Sequence, residues 1–359
     1  MKRREFLSAS AAAIAATSSL APCLAETSIP SGIPPTLSAS AAAAARIPRV
    51  KNPGVRRGEM LYRQLGTTGV EVSLIGIGGS KIGRNTISDD EATRLMHQAI
   101  DRGINFFDNG WDYNDGQSEI RMGTALALEG YRQKAFLMTK IDGRTKAEAA
   151  RQIDISLTRL KTDHIDLLQH HEIIRFEDPD RIFHAGGAME AVLAAKQAGK
   201  VRFIGFTGHK DPRIHLYMLE VADRNGFHFD TLQMPINVMD AHFRSFSQLV
   251  VPEALKHGVG VLGMKCFGAG NVLRSGVIEP PDCLRYCLNI PISVQITDIN
   301  SQMLLDQAFT VVKGFKPMDE HEVAALISKT EQAAMTGEFE PFKTTTAYDA
   351  TARRTDWMG

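Results

Sequence analysis

The sequence predicts a (β/α)8 barrel of the TIM type, preceded by a β-hairpin. From residue 74 onward, a short apolar run and a longer amphipathic stretch alternate eight times, which is typical of a parallel sheet covered by helices. Eight repeats suit a closed barrel, whose usual size is about 250 residues. An open doubly wound sheet is the alternative. The G-x-G-x-x-G fingerprint of that fold is incomplete here. Gly76 and Gly78 are present, but Lys81 stands at the position of the third glycine.

Residues 1–25 are predicted to be an export signal and not part of the fold. They have a basic start, an apolar centre and a small-residue end near Ala25. The Arg3–Arg4 pair resembles the twin-arginine signal, with which bacteria export folded proteins. A general secretory signal with a chance arginine pair, or a lipoprotein cleavage box around Cys23, are the alternatives. We therefore expect the twin-arginine export machinery as a partner and a periplasmic location.

Two segments come between this signal and the barrel. Residues 26–58 are rich in Ala, Ser and Pro, which predicts a tether with little fixed structure. The folded body, residues 59–359, is therefore expected to begin near Met60. The stretch LYRQLGTTGVEVS predicts a β-hairpin around Gly66 and Gly69 that could plug the closed end of the barrel.

Eight apolar runs are the predicted barrel strands. They are LIGIGG (74–79), NFFDNG (105–110), AFLMTK (135–140), HIDLLQHH (164–171), VRFIGFTGH (201–209), TLQMPIN (231–237), VGVLGMKCF (259–267) and SVQITDI (293–299). The stretches between them have apolar residues at spacings of three and four, and several end in glycine, which is a common helix stop.

Three of these strands end in polar side chains that an apolar run does not need. Asp108 ends the second strand, Lys140 the third, and the His170–His171 pair the fourth. Catalytic residues of a barrel lie at the carboxyl ends of its strands. Because strand side chains alternate in direction, only one of the two histidines points into the mouth. Asp108 and Lys140 lie on neighbouring strands, so each can neutralise the other's buried charge.

A tyrosine, Tyr113, follows Asp108 by five residues. A positive Lys140 beside it is expected to lower the pKa of the phenol. Such a phenol can give a proton to a carbonyl oxygen and take it back from an alcohol, while a neutral histidine holds the oxygen by a hydrogen bond. This set supplies no electrons. It needs a hydride donor, and a nicotinamide cofactor is the usual one.

This constellation resembles that of the aldo-keto reductases. NFFDNGWDY resembles the family's Asp-x-x-x-x-Tyr element, and FLMTK resembles the strand that brings its lysine. HIDLLQHH resembles the Asp-x-x-x-x-His element, which counted from Asp166 selects the second histidine. The resemblance runs from about residue 60 to about residue 315. It implies four catalytic positions: Asp108, Tyr113, Lys140 and His171.

The resemblance also implies cofactor-binding positions, with departures from the family pattern. Gln233 matches the glutamine that holds the nicotinamide carboxamide. Thr207 and Gly208 stand where many members have Ser-Asn, so one contact to that carboxamide is expected to be lost. Met264 stands where many members stack a tyrosine on the nicotinamide, and its thioether can still pack on a ring. Lys265 either meets the pyrophosphate or is a solvated loop charge.

Three further positions complete the expected cofactor site: Gly79 in the GIGG opening, Gly268 after the seventh strand, and Asp298 after the eighth. NADPH-preferring members place basic residues around the 2′-phosphate in this last segment. Here it has Asp298 and Asp306 and no Lys or Arg until Lys313. An acidic residue repels a phosphate but accepts hydrogen bonds from ribose hydroxyls. We therefore expect NADPH or NADH as cofactor, with weak selectivity for NADPH.

The loops suggest the kind of substrate. Trp111, beside the catalytic pair, is expected to be a wall of the substrate pocket. Phe176, Phe183, Phe243 and Phe246 lie in loops after the fourth and sixth strands and favour an apolar or aromatic carbonyl compound, although loop aromatics are often packing residues. The tail after about residue 318 is expected to fold over the mouth, as the family's C-terminal loop does.

Composition bounds the remaining possibilities. Lys+Arg and Asp+Glu number 41 each, so charge gives no reason to expect nucleic acid or an anionic membrane as partner. No apolar run of about 18 residues follows the N-terminus, so no membrane span is expected. No Cys or His cluster has the spacing of a metal site. The expected partner is a small-molecule carbonyl substrate. The alternative function is a catalytically silent, cofactor-binding barrel that acts as a sensor or partner subunit.

Overall fold

The computed structural model describes residues 39–359, whose strands form two sheets. The strands are β1 (Val55–Arg57), β2 (Met60–Gln64), β3 (Glu71–Ser73), β4 (Ile75–Gly78), β5 (Phe106–Asp108), β6 (Phe136–Ile141), β7 (Ile165–His170), β8 (Val201–Thr207), β9 (Thr231–Pro235), β10 (Gly260–Met264) and β11 (Val294–Thr297). Strands β4 to β11 close into a parallel barrel, in which each strand pairs with the next and β11 pairs with β4. The prediction of a (β/α)8 barrel is confirmed, because each of the eight apolar runs contains one barrel strand.

The described helices comprise one that precedes the strands and others that follow the barrel strands. They are α1 (Ala39–Arg46), α2 (Gly79–Ile82), α3 (Asp89–Asp101), α4 (Gln117–Leu126), α5 (Tyr131–Lys134), α6 (Lys146–Arg159), α7 (Glu177–Phe183), α8 (Ala188–Gln197), α9 (Pro212–Arg224), α10 (Phe246–Lys256), α11 (Asn271–Arg274), α12 (Pro280–Asn289), α13 (Gln302–Gly314), α14 (Glu320–Ala334), α15 (Pro341–Thr344) and α16 (Ala350–Arg353). Several long ones begin after a residue whose side chain accepts a backbone N–H, as Ser88, Thr145 and Ser301 do. Within residues 39–359, no helix is long and apolar enough to cross a membrane.

The predicted hairpin closes the lower end of the barrel. Strands β2 and β3 pair antiparallel, and β1 adds a third strand. Leu65 and Val72 are fully buried in the cluster of side chains that fills the barrel interior. Gly66 has a positive φ of 54°, and a Cβ there would lie 2.5 Å from the backbone nitrogen of Gly260, at the start of β10. Only glycine therefore lets the hairpin approach so closely.

Part of the predicted tether is ordered, so that prediction is wrong where the structure describes it. The alanine-rich helix α1 and strand β1 both fall within residues 26–58. Helix propensity is highest for alanine, and α1 packs against α14, with Ala44 and Ile47 buried in the core. Composition alone missed this packing. The remaining residues of the tether, 26–38, and the predicted export signal, 1–25, lie outside the described residues.

The tail after α13 crosses the mouth of the barrel, as expected. The Glu172 carboxylate, just beyond β7, accepts hydrogen bonds from the backbone N–H groups of Ala350 and Thr351, at 2.8 and 2.7 Å. Asp349 is 2.9 Å from Nε2 of His209. These contacts hold α16 against the carboxyl ends of the strands, where the candidate site lies.

Candidate active site

The four predicted catalytic side chains meet at the mouth of the barrel. Asp108 pairs with Met138, two residues before Lys140, and Lys140 reaches back to form an ion pair with the Asp108 carboxylate. Lys140 Nζ also lies 2.6 Å from the Asn109 carbonyl oxygen and 3.1 Å from the phenol oxygen of Tyr113. Asp108 and Lys140 are almost completely buried, at 4% and 1% exposure. As predicted, each neutralises the charge of the other.

A strained turn fixes the position of Tyr113. The residue opens a short 3-10 turn, in which Asn114 and Asp115 have positive φ angles of 52° and 54°. Asparagine and aspartate tolerate this left-handed region better than most residues. The Asn114 side chain donates to the Ser80 carbonyl oxygen at 2.9 Å and contacts the Ser118 hydroxyl at 2.7 Å. The turn is thereby tied to two other elements, and the phenol is held beside Lys140.

The pKa of the Tyr113 phenol is well above its usual value. Burial is the largest cause, and the surrounding negative charges, led by Asp108 and Asp112, raise the pKa further. The prediction that Lys140 lowers this pKa is therefore wrong for this structure. The physical reason is that Asp108 neutralises Lys140, while additional carboxylates face the ring. The phenol stays protonated at neutral pH and is set to act as a proton donor.

His171 lies between two carboxylates. Its Nδ1 is 2.9 Å from an oxygen of Asp142 and 3.3 Å from an oxygen of Asp112. Burial lowers the pKa of His171, but the two carboxylates outweigh burial and raise it to about 10. The prediction of a neutral histidine is therefore wrong. The ring carries a positive charge through the neutral pH range.

The neighbouring His170 confirms the argument from strand alternation. It points away from the mouth, and its ring makes an edge contact with Phe229 at 6.5 Å between centroids. Burial lowers the pKa of His170 to about 3, with a smaller contribution from the charge of Arg144. His171, by contrast, contacts the Tyr113 ring edge-on at 5.6 Å between centroids. The two histidines therefore have different charges as well as different directions.

Two adjoining cavities lie at the mouth. The first, of about 410 Å³, is bordered by Asp108, Tyr113 and His171. Its other polar lining residues come from several loops and the tail: Ser80, Lys81, Arg84, Asp112, Asn114, Glu172, His209, Lys265, Asp298, Tyr348 and Arg353. The second, of about 260 Å³, shares Lys81, Ala269 and Asp298 with the first and is largely apolar. Together they run from the catalytic groups towards α13.

A comparison with protein families decides which family this barrel belongs to. The sequence model described as the Aldo/keto reductase family matches residues 74–283, which is more than half of the chain. The chain belongs to the aldo/keto reductase family. The matched region contains all four clustered side chains described above.

Individual members of the family are similar over parts of the chain. L-galactose dehydrogenase of Arabidopsis thaliana is 39% identical over 156 residues, which are 41% of this chain and 48% of that protein. 6-dehydroglucose reductase of Novosphingobium aromaticivorans is 34% identical over 167 residues, 43% of this chain and 53% of that protein. The chain thus spans about half the length of these relatives. Both names describe oxidoreductases.

A solved structure from the same family has a similar fold. The aldo-keto reductase AKR11C1 from Bacillus halodurans, in its holo form, superposes with a TM-score of 0.62 at 25% identity. The superposition covers 78% of this chain and 99% of that one. The likeness therefore extends over the complete barrel of that reductase.

Several expected cofactor residues of this family member border the cavities. Met264 and Lys265 line the first cavity, and Asp298 lines both. Burial lowers the pKa of Lys265, while the Asp298 charge acts in the opposite direction. Burial also raises the pKa of Asp298. Gly79 and Gly268 are not among the lining residues, but their neighbours Gly78 and Ala269 are.

Gln233 and Thr207 lie directly below the catalytic groups. They are paired across β8 and β9, and both are buried. Gln233 Nε2 donates to Asp108 at 2.7 Å, whereas its Oε1 has no hydrogen-bond partner among the described residues. A buried amide oxygen without a partner is costly. Neither Gln233 nor Thr207 is among the residues lining the two cavities. The unpartnered oxygen of Gln233 suits the amide N–H of a nicotinamide, so Gln233 fits the expected cofactor.

The expected aromatic wall of the substrate pocket is not where the sequence suggested. Trp111 is not among the residues lining either cavity. It packs edge-on against Trp357 at 5.4 Å between centroids. Phe183 packs on Phe229, and Phe246 is fully buried beside His215. These aromatic side chains are packing residues, and polar side chains line much of the first cavity instead.

The carboxylates around His171 and the side chains that the tail contributes to the cavity were not predicted from the sequence. Asp142 comes two residues after Lys140, directly at the end of β6, so its position at a strand end was a usable signal. Tyr348 and Arg353 do not lie at a strand end, so the sequence contained no comparable indication that they line the cavity. Only the path of the tail brings them to the cavity.

Proposed function

We propose that this chain is an NAD(P)(H)-dependent oxidoreductase that interconverts a carbonyl compound and an alcohol. The contact of 3.1 Å between the Tyr113 phenol and Lys140, beside His171 and at the floor of the cavity, carries this proposal. A bound dihydronicotinamide would supply the hydride. The unpartnered Oε1 of Gln233 would hold the carboxamide of the cofactor. The charge of Lys265 would hold a phosphate.

In reduction, Tyr113 gives its proton to the carbonyl oxygen of the substrate. The high pKa of the phenol means that this proton is present at neutral pH. His171 donates a hydrogen bond to the same oxygen and stabilises the negative charge that grows there. The charge of Lys140 is neutralised by Asp108. Lys140 Nζ lies 3.1 Å from the phenol oxygen of Tyr113 and holds that oxygen in place.

A screen of purified protein with NADH and NADPH against varied aldehydes and ketones tests this proposal. The expected result is oxidation of the reduced cofactor that depends on a carbonyl compound. Cofactor binding without turnover on every substrate would favour the alternative, a silent barrel that acts as a sensor or partner subunit.

We propose that the substrate is a small carbonyl compound rich in hydroxyl groups. This replaces the expectation of an apolar compound, because hydrogen-bonding side chains such as Asp112, Asn114 and His209 line the cavity. The names of the two sugar-related oxidoreductases among the relatives support the same class. We predict a higher kcat/KM for hydroxylated aldehydes than for unsubstituted aldehydes of equal chain length. Equal or reversed values would reject the proposal.

We further propose weak selectivity between NADPH and NADH. Asp298 lines both cavities, and among the residues that line the second cavity Lys81 is the only cation. A negative charge there opposes the 2′-phosphate, while the charges of Lys81, Lys265 and Arg84, which act on Asp298, offset part of it. Steady-state kinetics with both cofactors tests this. A preference for NADPH above about tenfold, or about 1.4 kcal/mol, would reject the proposal.

For residues 1–25 we propose export by the twin-arginine pathway, which rests on the sequence alone. Replacing Arg3 and Arg4 together by lysine keeps the charge and should retain the protein inside bacterial cells, as judged by cell fractionation. Lys2→Arg is the matched control. Continued export of the double variant would favour the general secretory route.

A further inference from the structure

The Nδ1 edge of His171 faces two carboxylates that come from different loops. Asp112 also lines the cavity, whereas Asp142 does not. Asp112 lies in the loop after β5, and Asp142 lies immediately after β6. Their oxygens are 3.3 and 2.9 Å from Nδ1 of the histidine. Asp142 is fully buried, and its second oxygen, Oδ2, has no hydrogen-bond partner among the described residues. Burial and the charge of Asp112 raise the pKa of Asp142 to about 6. At neutral pH the carboxylate is therefore still mostly charged, and this charge is balanced chiefly by the imidazole.

We propose that Asp142 and Asp112 form a carboxylate clamp that fixes His171 as a doubly protonated ring, with Nδ1–H directed at the clamp and Nε2–H free to bind the substrate oxygen. The inference rests on the proposed oxidoreductase function. Asp142, which lines neither cavity, acts through the histidine and is a positioning residue. Asp112 acts on the histidine in the same way and also lines the cavity.

The other charged groups near His171 are already satisfied by partners of their own. Lys140 is paired with Asp108, and Glu172 receives hydrogen bonds from the tail at Thr351. Arg144 donates to the backbone carbonyl of His171 at 2.8 Å, but its Nε is committed to the buried carboxylate of Asp178 at 3.0 Å. Among the described residues, the ionisable side chains with a recorded contact to the imidazole ring are the two aspartates and Tyr113.

The geometry leaves Nε2 available to the substrate. Among the described residues no protein group is hydrogen-bonded to Nε2, and His171 lines the catalytic cavity. The raised pKa of His171 agrees with a doubly protonated ring, because two negative charges outweigh the effect of burial. A charged donor stabilises a developing alkoxide more strongly than a neutral one does. The clamp would therefore increase the rate of reduction through the charge of the histidine.

The first test measures the histidine itself and needs no turnover. NMR titration of ring resonances, with the His171 signals assigned by their loss in His171→Gln, reports its protonation. In the wild-type protein the ring should remain doubly protonated at pH 8. In the Asp112→Asn/Asp142→Asn double variant its pKa should fall to the ordinary histidine value of about 6.5 or below. Asp90→Asn is the matched control, since Asp90 is an exposed carboxylate in α3 that lines neither cavity.

The second test uses the rate of carbonyl reduction. In the double variant, kcat at pH 8 should fall roughly 10- to 100-fold, the range expected for loss of one charge-assisted hydrogen bond. Activity should recover as the pH is lowered and the ring regains its proton. The dissociation constant of the cofactor should stay unchanged, and Asp90→Asn should behave as the wild type.

Three results would overturn the clamp. One is a wild-type His171 that titrates at the same pH as in the double variant. Another is a loss of kcat in that variant that is equal at every pH, which would indicate a structural role. The third is calorimetric binding of one equivalent of Mg²⁺, Mn²⁺ or Zn²⁺ that needs both aspartates, because the cluster would then be a metal site. If no carbonyl compound is reduced by the wild type, the proposed function fails, while the NMR result still decides the clamp.

Discussion

Asp108 ends an otherwise apolar strand, and its carboxylate is almost completely buried. The Lys140 ammonium and the side-chain amide of Gln233 both reach it, so the charge is satisfied from two sides. Burying an ion pair gains little stability over an apolar pair, but removing one partner is costly. The pair is therefore best explained by the position that it gives to Tyr113.

Replacing Lys140 alone should separate stability from activity. Lys140→Met leaves the buried Asp108 charge unpaired and should reduce the free energy of unfolding by about 3–5 kcal/mol, measured by urea denaturation. The Asp108→Asn/Lys140→Met double variant should recover most of this stability but not the activity. Lys134→Met, at an exposed lysine, is the control and should change stability by less than about 1 kcal/mol. A double variant as unstable as the single one would contradict the account.

The raised pKa of Tyr113 predicts different pH profiles for the two reaction directions. Alcohol oxidation needs the phenolate, whose fraction rises tenfold per pH unit below the pKa. Its log kcat should therefore climb with a slope of about 1 between about pH 6 and pH 9. Reduction uses the phenol and should change little over that interval. A plateau in the oxidation profile near neutral pH would mean that the pKa is lowered instead.

At the scale of elements, the tail acts as a strap across the barrel mouth. Glu172 adopts a positive φ of 49° and accepts three hydrogen bonds from Ala350 and Thr351. Further along, Lys343 is fully buried and paired with Asp240 and Glu340, at 2.8 and 2.9 Å. Buried charged side chains therefore bind the strap on both sides of the segment that contributes Tyr348 to the cavity: Lys343 through its ion pairs and Glu172 through its hydrogen bonds.

Weakening the hydrogen bonds that Glu172 accepts should increase local opening of the strap. Glu172→Gln keeps the shape but replaces charge-assisted hydrogen bonds by neutral ones, a loss of about 1 kcal/mol. Hydrogen exchange of residues 346–353 should accelerate, and the KM for the carbonyl substrate should rise about fivefold. Glu177→Gln, at an exposed glutamate nearby, is the control. Unchanged exchange in the tail would show that Glu172 does not hold it.

At the scale of the whole molecule, the barrel brings together residues from eight successive strands, and most of this was predictable. The apolar runs identified each strand, and side chains such as Asp108 and Lys140 at their ends identified the site. The charge states of Tyr113 and His171 were not predictable, because they depend on neighbouring side chains that only the register of the strands reveals. Asp142, which lies beside His171, is such a neighbour. The order of α1 and the path of the tail depend on long-range packing, which local composition does not encode.

The central claim is that Tyr113 donates the proton during carbonyl reduction. Single-turnover kinetics of cofactor-loaded wild type and Tyr113→Phe, mixed with the best aldehyde from the screen, tests it most directly, with cofactor affinity measured for both proteins. We predict equal affinities and a loss of the hydride-transfer rate of at least about 100-fold in the variant, in the range attributed to general acid catalysis. A variant that binds the cofactor and reduces the aldehyde at the wild-type rate would contradict the account.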